Sequence, residues 1–428
     1  SQHSYQPTYP QTFVSSFNGV NFVINLSTRP TTTTTFIYIT FLKTGDPLAK
    51  SKENGKRKGI MKFSIDRSPL LEGLQKVQSV VEKRNTIQIL GNILCSVKGN
   101  ELSLCATDLE VGIKVTLPVE AQTEGRLTLS AKHFLDIVKE LPDKQLQVSK
   151  KDNNWVEILC GKSKFNIVSL AAEEYPALPA FEEKSYFDSK VETLTDMIDR
   201  TQFAVSTDAT RYHMNGVFFE QLESGLMRMT ATDGHRLSFV DHEVFLKMPE
   251  LKRGIIIPKK GLGEFRKLLG ESPSSVGLAF ERGYVFAKFD SAYLFIRLID
   301  GEYPPYQQVV PKVVDRTVKL DREIFNSALK RVSLLAHEKS RAVRLAIQSG
   351  LLTISSSNPD MGEAREEIDV EYTGEALEIG FNSKYLLECL SVMSAEKLEF
   401  LLKDRLSPGI LKESGHDAHT YVIMPMRI

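Results

Sequence analysis

Ala106-Thr107-Asp108, Ala231-Thr232-Asp233 and Ser356-Ser357-Asn358 stand at intervals of 125 residues in the 428-residue chain. Each follows a run that reads as a strand and is built from residues that bond their own backbone in turns. In the second, Asp233-Gly234 is followed by His235-Arg236-Leu237, and Gly permits a tight reversal at positive φ. Working outward, the same succession surrounds all three turns. A short strand (Met61 to Ile65, Phe187 to Val191, Val318 to Leu320) leads into an amphipathic segment (Pro69 to Val77, Leu194 to Phe203, Ile324 to Val332) with helical apolar spacing. A hairpin follows in each copy, at Asn92 to Ala106, Asn215 to Ala231 and Arg344 to Ser356.

After each turn comes a strand running into a second helix, at Leu127 to Leu141, Ile255 to Leu269 and Leu377 to Met393. The last strands are Lys164 to Leu170, Tyr293 to Ile299 and Tyr421 to Met426, and the first two copies end in Glu174-Tyr-Pro176 and Glu302-Tyr-Pro304. A repeat this long is a duplicated domain rather than a solenoid unit. Strands in hairpins predict an α+β class: antiparallel sheets with two helices per copy packed on them. The expected domains are 61–184, 185–315 and 316–428, after an extension over 1–60.

The extension differs in texture. It has the run Thr31 to Thr35 and a basic end, Lys50 to Lys58, with seven Lys and Arg against two Asp and Glu. Such composition predicts disorder, with Phe36 to Leu42 as a strand lacking a partner. Met61 is expected to be the natural start, making 1–60 an upstream extension.

The whole chain has 54 basic and 54 acidic residues, so no overall field advertises nucleic acid. Cys95, Cys105, Cys160 and Cys389 stand singly, without a Cys-x-x-Cys pair, which predicts buried reduced thiols and a cytoplasmic location. No apolar run reaches the length of a membrane span. Phosphate-loop, dinucleotide, zinc-protease and nucleophile-elbow motifs are missing. His416 and His419, beside Asp417, read as a solvated polar loop rather than a metal site. Asp233 with His235 is the one acid/base candidate, for a hydrolase. The repeat argues against it, because Asp108 recurs without a His and Asn358 replaces the acid. Basic residues recur on the helices, among them Lys76, Lys132, Lys139, Lys259, Lys260, Arg266, Lys330, Arg331 and Lys384. Turned to a common side, they would meet phosphates.

The repeat, Thr86-Ile-Gln-Ile-Leu-Gly-Asn92, Ala231 to Leu237 and the terminal Tyr421-Val-Ile-Met-Pro-Met-Arg-Ile428 together resemble the bacterial replicative sliding clamps, the β subunits of DNA polymerase III. The resemblance covers 61–428. It implies a non-enzymatic head-to-tail homodimer forming a ring around double-stranded DNA, without cofactor or metal. Its implied partners are the polymerase III catalytic subunit, the clamp loader, and other polymerases and repair proteins bearing clamp-binding peptides. By the same resemblance the peptide pocket comprises Met214, Thr232, Gly234, His235, Arg236, Leu237, Pro304, Gln308, Val309, Pro408, Val422, Met424, Pro425, Met426 and Arg427. DNA contact falls to Arg84, Arg211 and Tyr212, with Lys259 and Lys260 on the helix face. The subunit contact falls to Lys162, Lys164, Phe165 and Ile167 against Leu334, Leu335, Glu363, Glu366 and Glu367. Asp208, His213 and Gln308 depart from the family pattern.

Overall fold

The computed structural model describes residues 11–17, 20–28 and 35–42, and 60–427 except 83–86, 152, 181–184, 245–248 and 273. The chain divides into two units, Ser1–Lys58 and Gly59–Ile428. In the first, Gln11–Phe17, Val20–Thr28 and Thr35–Leu42 form an antiparallel meander. The segment read from sequence as a strand without a partner thus pairs with Val20–Thr28, Phe36 opposite Ser27. These strands also depart from the expectation of disorder. Their β-branched and aromatic content is the local reason.

The second unit carries six α-helices among the described residues: α1 (Arg67–Gln78), α2 (Ala131–Glu140), α3 (Val191–Asp199), α4 (Lys259–Leu269), α5 (Arg322–Val332) and α6 (Ser383–Leu390). Apolar spacing places Leu70, Leu74 and Val77 of α1 in the core, as it does Phe325, Leu329 and Val332 of α5. Asp321 caps α5 by accepting from the Ile324 N–H at 3.0 Å, and Asn382 caps α6 through the Lys384 N–H at 3.0 Å. The helix expected to run to Phe203 stops at Asp199. Thr201 donates its hydroxyl back to the Met197 carbonyl at 2.7 Å, and a short 3-10 turn follows at Gln202–Ala204.

The copies are joined edge to edge by their sheets. One eight-stranded sheet continues from Phe187–Lys190, Ser275–Glu281, Tyr284–Lys288 and Ala292–Arg297 into Val111–Pro118, Glu101–Thr107, Asn92–Lys98 and Gly125–Ser130. Its central pairing, the first joint, sets Leu294 opposite Ile113 and Phe295 opposite Gly112. A second eight-stranded sheet joins the middle copy to the last through Arg236–His242 and His416–Ile423, with Leu237 opposite Val422. Two part-sheets remain. The five-stranded one ends in Ser163–Val168 and the four-stranded one in Gly362–Asp369, so each presents an open edge. Helices and inward strand residues share two cores, one continuous through the first two copies and one in the third. The four cysteines are buried and none of them is in a disulfide, as their sequence context predicts. No helix of the described residues is long and apolar enough to cross a membrane.

Candidate peptide groove and its surroundings

The Asp233 turn spends its acid on its own backbone. Asp233 Oδ1 accepts from the N–H of His235 at 2.9 Å and of Arg236 at 3.1 Å, and Oδ2 receives Arg236 Nε at 3.0 Å. Thr232 closes the turn by donating to the Arg236 carbonyl at 2.6 Å, and Gly234 takes φ +88°. Copy one repeats the geometry: Asp108 Oδ1 accepts from Glu110 and Val111, and Thr107 donates to the Val111 carbonyl. In copy three Asn358 Oδ1 accepts from the Asp360 N–H at 3.0 Å. A carboxylate saturated by backbone donors and a guanidinium is not a general base for the neighbouring imidazole. The Asp233–His235 hydrolase reading therefore has no geometric basis.

Beside the turn, on the outer face of the second joint, lies a cavity of about 260 Å³. Met214, Thr232, Gly234, Arg236, Leu237, Pro304, Gln308, Val309, Val422 and Met424 line it, as the resemblance implies, together with Pro305 and Tyr306. Those two were not singled out from sequence, although they directly follow Pro304. The remaining five positions are not among its lining residues. His235 instead lines a more polar cavity of about 350 Å³ on the other side of the turn, with Asp233, Arg211, Lys259 and Lys384. His235 stands in the turn, before the strand Arg236–His242 begins, and its carbonyl is bound by the Met424 N–H at 2.9 Å. Met426 pairs with Gly380 through its N–H at 2.8 Å, Pro408 and Pro425 are half-buried, and Arg427 is exposed.

The groove floor is fixed from beneath. Tyr303 stacks on Phe218 with ring centroids 4.9 Å apart, and its hydroxyl accepts from the Thr232 N–H at 3.0 Å. Tyr306 donates to Glu220 at 2.6 Å and accepts from Arg228, which is itself forked onto Asp241 at 2.6 Å. Such locked walls favour a preformed apolar site.

Behind the groove, one buried and one half-buried arginine tie the second joint. Arg236, 7 % exposed, donates to Asp233, to Glu388 of α6 and to the Phe203 carbonyl, and lies 4.4 Å from the Tyr385 ring centroid. Arg200 donates to Asp196 at 2.6 Å and to Glu413 at 2.5 Å. His419, only 1 % exposed, stands against Arg200 and is a correction to the solvated-loop reading. It belongs to the strand His416–Ile423, central in the joint sheet, so its side chain has no route to water. Ser238 Oγ donates to the Arg200 carbonyl at 2.5 Å, so it accepts from His419 Nε2 at 2.9 Å, and Nδ1 faces Arg200 at 3.3 Å.

Burial, and then the Arg200 charge, pull the His419 pKa down to about 4. The unfolded chain binds a proton here below about 6.5. Between these limits the unfolded state holds more protons, so stability falls as pH drops through that window, and only below it do Asp196 and Glu413, whose pKa values are lowered, add their own loss. Urea unfolding of the wild type should lose about 2 kcal/mol between pH 7 and pH 5 from this group, and His419→Gln should abolish that share. An equal loss in both proteins would refute the assignment.

The other sequence-derived positions divide. Arg84 lies outside the described residues. Arg211 and Tyr212 are exposed, Arg211 Nη1 lies against Gly234, and His213 meets the Tyr212 ring edge-on at 5.6 Å. Asp208 accepts from Thr210 and stands 3.8 Å from Arg211. Lys259 makes no ion pair among the described residues, whereas Lys260 is bound by Asp108 and Glu82 and spans the first joint. Its ammonium is thus held by two carboxylates of the first copy. Lys76, Arg266, Lys267 and Arg331 are likewise paired, with Glu271, Asp199, Glu264 and Glu366. Lys384 pairs too, with Glu388 at 3.7 Å, whereas Lys132, Lys139, Lys259 and Lys330 make no ion pair among the described residues.

At the open edges, Phe165 is 37 % and Leu334 74 % exposed. Ile167 and Leu335 are half-buried, and Lys162 is exposed. Lys164 pairs with Glu157 at 2.5 Å, and hydrogen bonds from Lys151 and then Lys164 hold that carboxyl at a pKa of about 2. Glu367 receives Arg365 at 2.7 Å, Glu366 receives Arg331, and Glu363 is exposed.

Comparison with known proteins gives a consistent result. Residues 61–179, 189–305 and 307–427 match the family models of the N-terminal, central and C-terminal domains of the DNA polymerase III beta subunit. The beta sliding clamp of Pseudomonas aeruginosa is 36 % identical over 369 residues, covering 86 % of this chain and all of the relative. That of Caulobacter vibrioides is 37 % identical over 377 residues, with the same coverage. Among solved structures, the Pseudomonas aeruginosa clamp superposes with a TM-score of 0.79 at 36 % identity, and the Bartonella birtlesii clamp bound to griselimycin with 0.82 at 35 %; each covers 86 % of this chain and all of the other.

Proposed function

The chain belongs to the DNA polymerase III β-subunit family, the replicative sliding clamps, and from that membership we propose how its own residues divide the work. It is a non-catalytic processivity factor that encircles duplex DNA and tethers the polymerase through a peptide pocket. A topological link needs no base reading, and a weak, salt-screened attraction to phosphates lets the ring slide. Arg211, Tyr212 and Lys259 are the positions we assign to that attraction, Lys260 being committed to Asp108 and Glu82.

The observation that carries the partner assignment is the preformed apolar groove at the second joint, walled by Leu237, Val309, Val422 and Met424. Its occupant is a short peptide carrying apolar anchors, from the polymerase catalytic subunit, the clamp loader or a repair protein. A few buried side chains supply most of such binding energy, and Met walls adapt to several sequences. Met424→Ala with Val309→Ala should weaken a fluorescent clamp-binding peptide at least tenfold while leaving thermal unfolding unchanged. Unaltered peptide affinity would remove the groove from the assignment. Retention of the loaded protein on circular but not linearised DNA tests the ring itself.

We assign the subunit contact to the two open edges, Ser163–Val168 of one protomer against Gly362–Asp369 of its partner. The internal joints supply a register. Leu294 faces Ile113 in the first and Tyr421 faces Ser238 in the second. Phe165 occupies the place of Leu294, and Ala364 that of Ile113, so Phe165 falls opposite Ala364 of the partner subunit. Lys164 then falls opposite Arg365 of the partner subunit, a basic residue flanked on the same face of its strand by Glu363 and Glu367 and already paired with Glu367. This pairing closes two protomers head to tail, with three joints each. The domain limits 61–184, 185–315 and 316–428 remain our proposal for where the copies divide.

A further inference from the structure

We propose that the subunit joint is the ring's weak seam because two carboxylates that lock the first internal joint have been replaced, at the equivalent places, by Asn358 and His337. The inference rests on the head-to-tail pairing proposed above. In the first joint Lys260, second residue of α4, is gripped by Asp108 of the turn and Glu82 after α1. The second joint keeps the turn carboxylate: Asp233 holds Arg236, which reaches Glu388 of α6. In both, a cation ties the turn of one copy to the second helix of the next.

The third copy carries a different set. Asn358 stands in the turn where Asp108 and Asp233 stand, 5 % exposed and bonding the Asp360 N–H in the same Asx manner. Its free side-chain corner is therefore an amide donor instead of a carboxylate oxygen. Counted from the first residue of its helix, His337 stands as far beyond Arg322 of α5 as Glu82 stands beyond Arg67 of α1, and both come directly after a bend. The residue these two face across the seam is the counterpart of Lys260, Lys132, second residue of α2. Lys132 is exposed and makes no ion pair among the described residues. Closing the seam thus brings Lys132 of the partner subunit to a donor amide and an imidazole, where the first joint offers two acids. Each intrachain joint must hold permanently. The seam has to part when the ring is loaded, and it is the joint without the turn carboxylate.

The test is subunit exchange between two fluorescently labelled pools of the full chain, with thermal unfolding measured alongside. Asn358→Asp restores an acid that already fits this turn in the other two copies, and His337→Glu restores the second acid independently. Each should slow exchange about tenfold, a desolvated ion pair's worth, and the gain should vanish when Lys132→Met is added. Lys132→Met alone should leave exchange within about twofold. The inference is overturned if neither acid slows exchange, or if the slowing persists without Lys132. It is equally overturned if Lys132→Met alone loosens the wild-type dimer, since Asp360 or Glu363 would then already serve as its partner. A wild type that sediments as a monomer removes the head-to-tail reading, and this inference with it.

Discussion

The double substitution Phe165→Ala with Leu334→Ala is expected to convert the protein to monomers in sedimentation velocity at micromolar concentration. Both side chains are exposed in the single protomer, 37 % and 74 %, so their truncation leaves the fold intact. The 3-10 turn Ser333–Leu335 packs against Gly362–Asp369, which brings Leu334 close to the edge strand that Phe165 would approach. Truncating two apolar anchors at the centre of one interface costs about 4 kcal/mol together, roughly a thousandfold in dissociation constant. Two such seams close each ring, so the loss is felt twice. An unchanged dimer mass would show that the sheets do not meet at these edges.

The fold was legible because its decisive signals are local. Turn residues such as Thr107-Asp108 and Thr232-Asp233 bond their own backbone, and helix faces such as Leu70, Leu74 and Val77 follow from spacing alone. The Asn18-Gly19 pair between two β-rich runs is a hairpin signal in the extension's own sequence. What sequence concealed was register and pairing between distant segments. Lys260 read as a free cation because nothing in its neighbourhood announces Asp108. His419 read as solvated from its neighbours His416 and Asp417, although the apolar run Tyr421-Val-Ile423 just beyond marks a central strand.

Why only the second joint carries the groove is likewise a tertiary matter. In the first joint Phe295 lies across Gly112, so closely that a Cβ there would meet its ring at 2.2 Å. Phe286 and Tyr284 complete an aromatic cover over that outer face. The same two places in the second joint hold Leu237 and Val422, which leave the space between the strand pair and the Pro304–Val309 segment open. Duplication supplied two similar joints, and side-chain volume decides which of them can admit a peptide.

Arg236→Ala should then be the most damaging single change at the second joint. Its guanidinium satisfies Asp233, Glu388 and the Phe203 carbonyl at once and lies on Tyr385. Burial lowers its pKa, but Tyr421, Glu388 and Asp233 outweigh that and raise it, so the charge is present at every working pH. Removing it leaves Asp233 with no counter-charge and Glu388 with only Lys384, 3.7 Å away, in a half-dry junction, a loss of about 3 kcal/mol. Arg236→Lys keeps the charge but not the planar fork, and should recover only part of it. Because Arg236 also lines the groove, stability and peptide affinity fall together in both variants. In Met424→Ala with Val309→Ala, by contrast, affinity falls alone. The check is urea unfolding followed by a probe in the third copy, with peptide binding measured on the same samples. A variant with full stability and lost affinity would make Arg236 a peptide contact only, and would break the link drawn here between the joint and the groove.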